Sequence, residues 1–241
     1  MARHLKVLTY NVHSCVGWDR RLDPGRVAEV IESCKPDIIG LQELDVGRRR
    51  TGSVDQAYAI ASHLQMRSIF HPALHKGEEK YGDAILTSLP AEVVKTGPLP
   101  GPGEPRGAIW MRIEFEGRSL EVFNTHLGAK RYQRMRHLPT LLGERWLGHP
   151  DCRDGNVILM GDFNAIPSSA GYRKIARKLE LARPEGRKFN DPTFPSRYPL
   201  LRLDHVFLSA GLRCVDARPV KTPLSRVASD HLPLLVTIAL D

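Results

Sequence analysis

Six short segments of the chain end an apolar run on polar side chains: Asn11, Glu43, His126, Asp162 with Asn164, Asp204, and Asp230 with His231. Strand ends in packed sheets project side chains into common crevices, which is where sites are built. The mixture is carboxylate, carboxamide and imidazole, with no cysteine cluster beside it. Such a set suits a hard cation, Mg²⁺ or Mn²⁺, held through oxygen. Histidine and asparagine in the same crevice can contact phosphate oxygens and stabilise charge in a transition state. A carboxylate left over near the metal can take a proton from water.

Each residue also has an ordinary structural reading. Asn11 alone would suit a turn after a strand, and Gly161-Asp162-Phe163-Asn164 an Asx turn. Asp204 could be an edge-strand polar group, and Asp230 a turn residue before Pro233. Jointly, and in this order along the chain, those readings lose. His4, His63, His71, His75, His137 and His149 read as surface or packing residues.

The elements that must position these groups are legible from periodicity. Residues 5–12 read as a buried strand. Asp23 and Pro24 then start a helix, with Val27, Val30, Ile31 and Cys34 at helical spacing. Residues 38–41 form a short apolar strand that delivers Gln42 and Glu43. Ser53 and Gln56 resemble a capping box for a helix whose inner face is Ala57, Tyr58, Ala61 and Leu64. Strands are expected over 68–73, 84–88, 92–96, 108–115 and 119–125, the last two joined by a hairpin turn at Glu116-Gly117. Tyr132, Met135, Leu138, Leu141 and Leu142 mark a further helix, with Arg131, Arg134 and Arg136 facing elsewhere. A strand (157–161), a helix (170–181), a proline-rich loop, a strand (203–209) and a last strand from Leu234 complete the reading. The Pro/Gly loop between Pro98 and Gly107 lacks G-x-G-x-x-G spacing, so no nucleotide fingerprint is read there.

The bulk numbers bound the rest. With 241 residues, 41% of them hydrophobic and 26% charged, the chain is an ordinary core-forming protein, expected as one α/β domain over 1–241. A formal net charge of +8 favours an anionic partner without naming it. The N-terminal stretch lacks the apolar core of a signal peptide, and the tract from Leu232 to Leu240 is too short to span a bilayer. The four scattered cysteines form no C-x-x-C pair. A reduced, cytoplasmic protein without a transmembrane segment is the expectation.

Tyr10-Asn11-Val12, Leu41-Gln42-Glu43, Asn124-Thr125-His126-Leu127, Gly161-Asp162-Phe163-Asn164, Leu203-Asp204-His205 and Ser229-Asp230-His231-Leu232-Pro233 together resemble the signature segments of the endonuclease/exonuclease/phosphatase superfamily. The resemblance runs from residue 10 to 233. It implies a deoxyribonuclease I-like fold, a four-layer sandwich of two packed mixed β-sheets flanked by helices. It also implies a Mg²⁺-dependent (or Mn²⁺-dependent) phosphoesterase, hydrolysing by in-line attack of an Asp-activated water. Glu43 becomes the principal metal ligand, with Asn11 beside it as ligand or phosphate contact and Asp230 completing the metal neighbourhood. Asp162 becomes the base that positions and deprotonates water, and Asn164 fixes the phosphate and nucleophile. His126 contacts phosphate, His231 bonds the phosphoryl oxygen, and Asp204 orients His231.

One departure bears on substrate. Abasic-site nucleases of this superfamily usually carry an acidic residue two positions after the first asparagine, where this chain has His13, and their R-x-D-Y segment stands here as Arg202-Leu203-Asp204-His205. The segments Tyr81-Gly82-Asp83-Ala84-Ile85-Leu86, Glu104-Pro105-Arg106-Gly107-Ala108 and Pro192-Thr193-Phe194-Pro195 are closer to a broad bacterial branch of metal-dependent hydrolases. In that branch Arg106 is a candidate phosphate contact. The favoured substrate is therefore a phosphate ester of a lipid or small molecule, most of all a phosphodiester, with a nuclease on DNA or RNA as the alternative. Aromatic residues, 7% of the chain, do not interleave with the basic runs as a single-strand stacking platform would require. Arg48-Arg49-Arg50 counts toward the nuclease alternative, and with a lipid or small-molecule substrate its charge reversal is expected to leave turnover nearly unchanged. A non-catalytic binding protein would have no use for this acid–base set, and serine and zinc hydrolase motifs are lacking.

Overall fold

A computed structural model describes residues 4–153, 155–185 and 191–240. The proline-rich loop read between Pro184 and Pro199 lies partly outside them. The strands are β1 (Leu5–Asn11), β2 (Ile38–Val46), β3 (Arg67–Lys76), β4 (Glu79–Thr87), β5 (Ala91–Leu99), β6 (Arg106–Phe115), β7 (Arg118–His126), β8 (Asn156–Asp162), β9 (Glu180–Leu181), β10 (Asp204–Leu208), β11 (Leu212–Pro219) and β12 (Leu234–Leu240). The helices are α1 (Pro24–Glu32), α2 (Gln56–His63), α3 (Arg131–Leu141), α4 (Ala170–Ile175) and α5 (Ser225–Ala228).

These strands make two six-stranded mixed sheets, ordered β11-β12-β1-β2-β4-β3 and β5-β6-β7-β8-β10-β9. Alternation along each strand explains the layering, since successive side chains point to opposite faces. Val7, Ile38, Ile85 and Ile238 of the first sheet meet Ile109, Met111, Val122, Ile158 and Val206 of the second in the central core. The opposite faces are apolar too: Leu8, Tyr10, Ile39 and Leu41 pack under α1 and α2, while Trp110, Phe123, Leu159 and Phe207 pack with Leu138 and Leu141 of α3 and Ile175 of α4. Four layers result, as expected from the sequence.

Beneath the strand ends two motif residues tie the sheets together. Gln42 Nε2 donates to Asn124 Oδ1 at 2.7 Å, and Asn124 Nδ2 donates to the carbonyls of Leu41 and Ala84, both at 2.9 Å. All of this is buried, where a hydrogen bond is strong and an unpaired amide is costly.

Several local expectations change. Asp55, not Ser53, caps α2, accepting from Tyr58 N at 2.9 Å. Gln56 turns inward instead, donating to the Ser14 carbonyl at 2.7 Å and accepting from Asp45 N. Tyr58, expected on the inner face, is exposed. The helix expected over 170–181 stops at Ile175, and Leu181 pairs with Phe207 as β9. The strand β11 has no counterpart in the sequence reading; a bulge between Cys214 and Asp216 breaks its alternation.

Candidate active site

Register brings the polar strand ends together. Asp162, last in β8, lies beside His126 of β7 in the parallel ladder and opposite Asp204 of β10 in the antiparallel one. A row of three neighbouring strands thus presents His126, Asp162 and Asp204 side by side. Asn11 ends β1 beside Gln42 of the other sheet, so the crevice lies where both sheets end. Gly161 is needed in this row: a β-carbon there would sit 1.9 Å from the Thr125 carbonyl oxygen, and its φ is +150°.

Backbone irregularity aims Glu43. Two residues of β2, Gln42 and Glu43, oppose the single Asp83 of β4, because pairing passes from Leu41–Ala84 to Leu44–Gly82. Glu43 adopts φ +62°, a bulge in the left-handed region. Asn164 (φ +48°) and the consecutive His13, Ser14 and Cys15 (φ +47°, +52° and +56°) share that region. Each such residue costs roughly 1–2 kcal/mol, and surrounding contacts must hold it. Around Ser14 they do so: its carbonyl accepts from Gln56, and its hydroxyl accepts from Arg50 Nη2 at 3.0 Å.

Asn11 is the hinge of the site. Its Nδ2 donates to Glu43 Oε1 and to Asp162 Oδ2, both at 3.0 Å, and its Oδ1 accepts from His13 N at 3.0 Å. The oxygen that a metal-ligating Asn11 would offer is thus engaged by the backbone, and Asn11 acts here as a donor to two carboxylates. Ser229, from the S-D-H segment, donates its hydroxyl to the Asn11 carbonyl at 2.7 Å and so fixes the chain carrying Asp230 and His231.

His231 Nδ1 lies 2.8 Å from Asp204 Oδ2, and its Nε2 lies 3.7 Å from Asp162 Oδ2. Burial disfavours the charged ring, but Asp204 and Asp162 outweigh it and hold the imidazolium up to a pKa of about 10. Asp162 is buried, and burial raises its carboxyl to about 7 despite His231 nearby. Its Oδ1 accepts from Asn164 N at 2.8 Å. Asn164 Nδ2 donates to the Leu127 carbonyl at 2.9 Å and faces His126 Nε2 at 3.0 Å. The buried Nδ1 of His126 has no hydrogen-bond partner among the described residues. Burial lowers His126 to about 3, so the ring is neutral. His126, expected to touch phosphate, is buried, with its Nε2 3.4 Å from Asp162 Oδ2 and 4.0 Å from Glu43 Oε1.

Glu43 faces the opening. Burial opposes its ionisation, but hydrogen bonds from His13 and Asn11 and the nearby His126 hold its carboxyl far below the ordinary range. His13 Nδ1 lies 3.6 Å from Glu43 Oε2 and 3.6 Å from Asp230 Oδ2. The two carboxylates therefore converge on one point, with His13 occupying the place between them. Oxygen ligands from an ionised Glu43 and a part-exposed Asp230 fit a hard divalent cation. A second group, Asp162, Asp204 and His231, has ligand atoms within 4.8 Å of one another. There the cationic place is already filled by the His231 imidazolium.

Of one further part of the site, the sequence reading named only Arg106. A cavity of about 430 Å³ opens beside Glu43 and His13, lined also by Arg48, Arg50, Tyr81, Glu104 and Arg106. Arg48 and Arg50 thus line the space beside Glu43, whereas the sequence reading gave their run no part in turnover of the preferred substrate. Asp83, opposite the Glu43 bulge, is buried and raised to about 7 by that burial. Its only signal in sequence was the segment Tyr81 to Leu86, read for its resemblance and not for its acid.

The family model for the endonuclease/exonuclease/phosphatase family matches residues 8–231. YbhP of Escherichia coli (strain K12) is 28% identical, over 98% of this chain and 96% of its own. Exodeoxyribonuclease III of Haemophilus influenzae is 26% identical, over 95% of this chain and 98% of its own. The structure of a mannosyl-6-phosphatase from Bacteroides thetaiotaomicron VPI-5482 superposes with a TM-score of 0.77 at 18% identity, covering 98% of this chain and 100% of that one. With the signature segments gathered at one crevice and matched along nearly its full length, the chain belongs to the endonuclease/exonuclease/phosphatase family and is a metal-dependent phosphoesterase.

Proposed function

We propose that the protein hydrolyses a phosphate ester of a small molecule or lipid, most of all a phosphodiester, with Mg²⁺ or Mn²⁺ as its ion. The observation that carries this reading is the buried relay Asp204–His231–Asp162, with Nδ1 of His231 2.8 Å from one carboxylate and Nε2 3.7 Å from the other. Glu43 and Asp230 would hold the divalent ion, which when bound polarises a phosphoryl oxygen. Asp162, raised toward neutral pH, accepts a proton from the attacking water. Asn164, whose amide hydrogens are engaged by Leu127 and His126, offers its oxygen to orient that water. As the water oxygen bonds to phosphorus, the ester P–O bond opposite breaks and the departing oxygen takes up a proton. His231, kept charged by Asp204, neutralises the phosphoryl oxygens. The acid–base set favours this over a binding role, and the buried, unpaired cysteines support a reducing, cytoplasmic setting. Among the described residues no helix is long and apolar enough to cross a membrane.

A nuclease is the second reading, favoured by the kinship with exodeoxyribonuclease III. The test is an activity screen with bis-p-nitrophenyl phosphate, p-nitrophenyl phosphate, plasmid DNA, RNA and phospholipids. EDTA should abolish hydrolysis, Mg²⁺ or Mn²⁺ should restore it, and Ca²⁺ should serve less well. Full turnover after exhaustive chelation would sink the metal assignment. Efficient plasmid nicking that high salt suppresses would put the nuclease first.

A further inference from the structure

The cavity beside Glu43 has a construction that hydrolysis of a lone phosphate does not require. Tyr81, nearly buried, anchors it: the Arg50 and Arg48 guanidinium carbons lie 5.7 and 5.9 Å from its ring centroid, and its phenol lies against Arg106. Arg50 is clamped from below by fully buried Asp45, Nε to Oδ2 at 2.7 Å and Nη2 to Oδ1 at 2.8 Å. Arg48 reaches Asp45 at 3.5 Å and Glu79 at 3.9 Å. Arg106 is the most enclosed, its side chain 9% exposed; Nη1 meets Glu104 Oε1 at 2.6 Å, while its buried Nε has no hydrogen-bond partner. Glu104 is half exposed on the loop before β6 and is the one carboxylate on the wall besides Glu43.

Arg48 and Arg50 are thus pre-oriented by a shared aromatic ring and a buried acid, and Arg106 by Glu104 and the Tyr81 phenol, around a space of about 430 Å³. Planar, fixed guanidiniums match phosphate oxygens better than a flexible ammonium does. The wall adjoins Glu43 and His13, so one molecule can lie in both places. We infer that this cavity binds a second phosphate group of the same substrate, so that the preferred substrate carries a phosphomonoester in addition to the scissile ester. This rests on the phosphoesterase reading and narrows it. A soluble bisphosphate and a lipid with a phosphorylated headgroup share that chemistry.

The experiment compares thymidine 5′-(p-nitrophenyl phosphate) with its 3′-phosphorylated form, which differ only in the second phosphate. A parallel arm uses vesicles containing phosphatidylinositol or phosphatidylinositol 4-phosphate. The phosphorylated member of at least one pair should be preferred in kcat/KM by about 10- to 100-fold, the range a charge-assisted hydrogen bond supplies. The pair showing it identifies a soluble or a lipid source. Arg50→Gln and Arg48→Gln should shrink that ratio toward one, whereas Arg50→Lys should retain part of it. Circular dichroism and Tm show that each variant is folded, and Arg48→Gln serves should loss of Arg50 unfold the Asp45 site. Calorimetry in EDTA should show thymidine 3′,5′-bisphosphate binding more tightly than thymidine 5′-phosphate, independently of turnover. Equal rates within both pairs, together with equal binding in EDTA, overturn the inference and leave the phosphoesterase reading standing. No hydrolysis of any member with any divalent ion counts against the phosphoesterase reading instead, and the EDTA binding then decides the cavity. Oligothymidylate lacking terminal phosphates, cleaved faster than every phosphorylated probe, would assign the cavity to a nucleic-acid backbone and overturn it too.

Discussion

The two halves of the site are built on opposite plans. The acid–base row is mostly buried: Asp162 and Asp204 are set by strand register, Asn11 ends β1, His231 lies just before β12, and half-buried Asn164 follows β8. The cavity wall consists of long cations delivered by a turn and a loop end, pinned by Tyr81 and Asp45 but reaching toward solvent. In the first, a shift of one residue in register would move the chemistry itself. In the second, a side chain can be exchanged without disturbing a strand. Reaction type is therefore written into the sheets and substrate choice into their connections, where loops tolerate change.

The largest effects should come from the row. Asp162→Asn removes the proposed base while keeping size and is expected to lower kcat by on the order of 10²–10⁴, with Tm little changed. A fold-change near unity in single-turnover kinetics would break the comparison at its stronger side. Next, Asp204→Asn and His231→Ala should each lower kcat by about 10²–10³, and the double variant should be little worse than the weaker of the two. A double-mutant cycle reads this, since residues acting as a unit are not additive. Independent, multiplying losses would mean that Asp204 does not orient His231.

The smallest effect sharpens the comparison through stability. His205 is buried, with Nε2 2.7 Å from the Ala165 carbonyl, and burial depresses it to about 3. The unfolded ring takes up a proton below about 6.5 while the folded ring refuses it. This contribution is present above that pH and is lost as pH falls toward 3. His231 has the opposite sign: its ion pairs act fully below about 6.5 and are lost as pH rises through about 10. The two histidines act on opposite limbs of the profile, and His205→Gln should flatten the acid side only. An unchanged acid limb would show that other groups set it.

What the sequence disclosed follows the same division. Strand-end residues were legible because apolar alternation marks where a strand stops, and Gly161-Asp162-Phe163-Asn164 announces both the tight approach to Thr125 and the acid that follows it. The roles inside the cluster were less legible. Asn11 places its N–H groups on two carboxylates and its oxygen on His13 N, and His126 meets Asn164, a contact between residues 38 apart. The arginine cavity was hidden for a different reason. Arg48 and Arg50 read as a charge run because nothing local to them reveals Tyr81, which arrives from β4. The same applies to α2, whose expected cap yielded when Gln56 was drawn to the distant Ser14 carbonyl.

The pairing of β1 with β12 has a consequence in time. Leu5 faces Ile238 and Thr9 faces Leu234, so the first strand of these two sheets is locked in place by the last. Asn11 ends one of these strands, and Asp230 and His231 lie shortly before the other. During synthesis, a chain still on the ribosome can complete the second sheet well before the first. It holds Asp162 and His126 but neither the imidazolium nor the second acid beside Glu43. Such a nascent chain should be inert, and catalysis should switch on in one step when the final strand slots between β1 and β11.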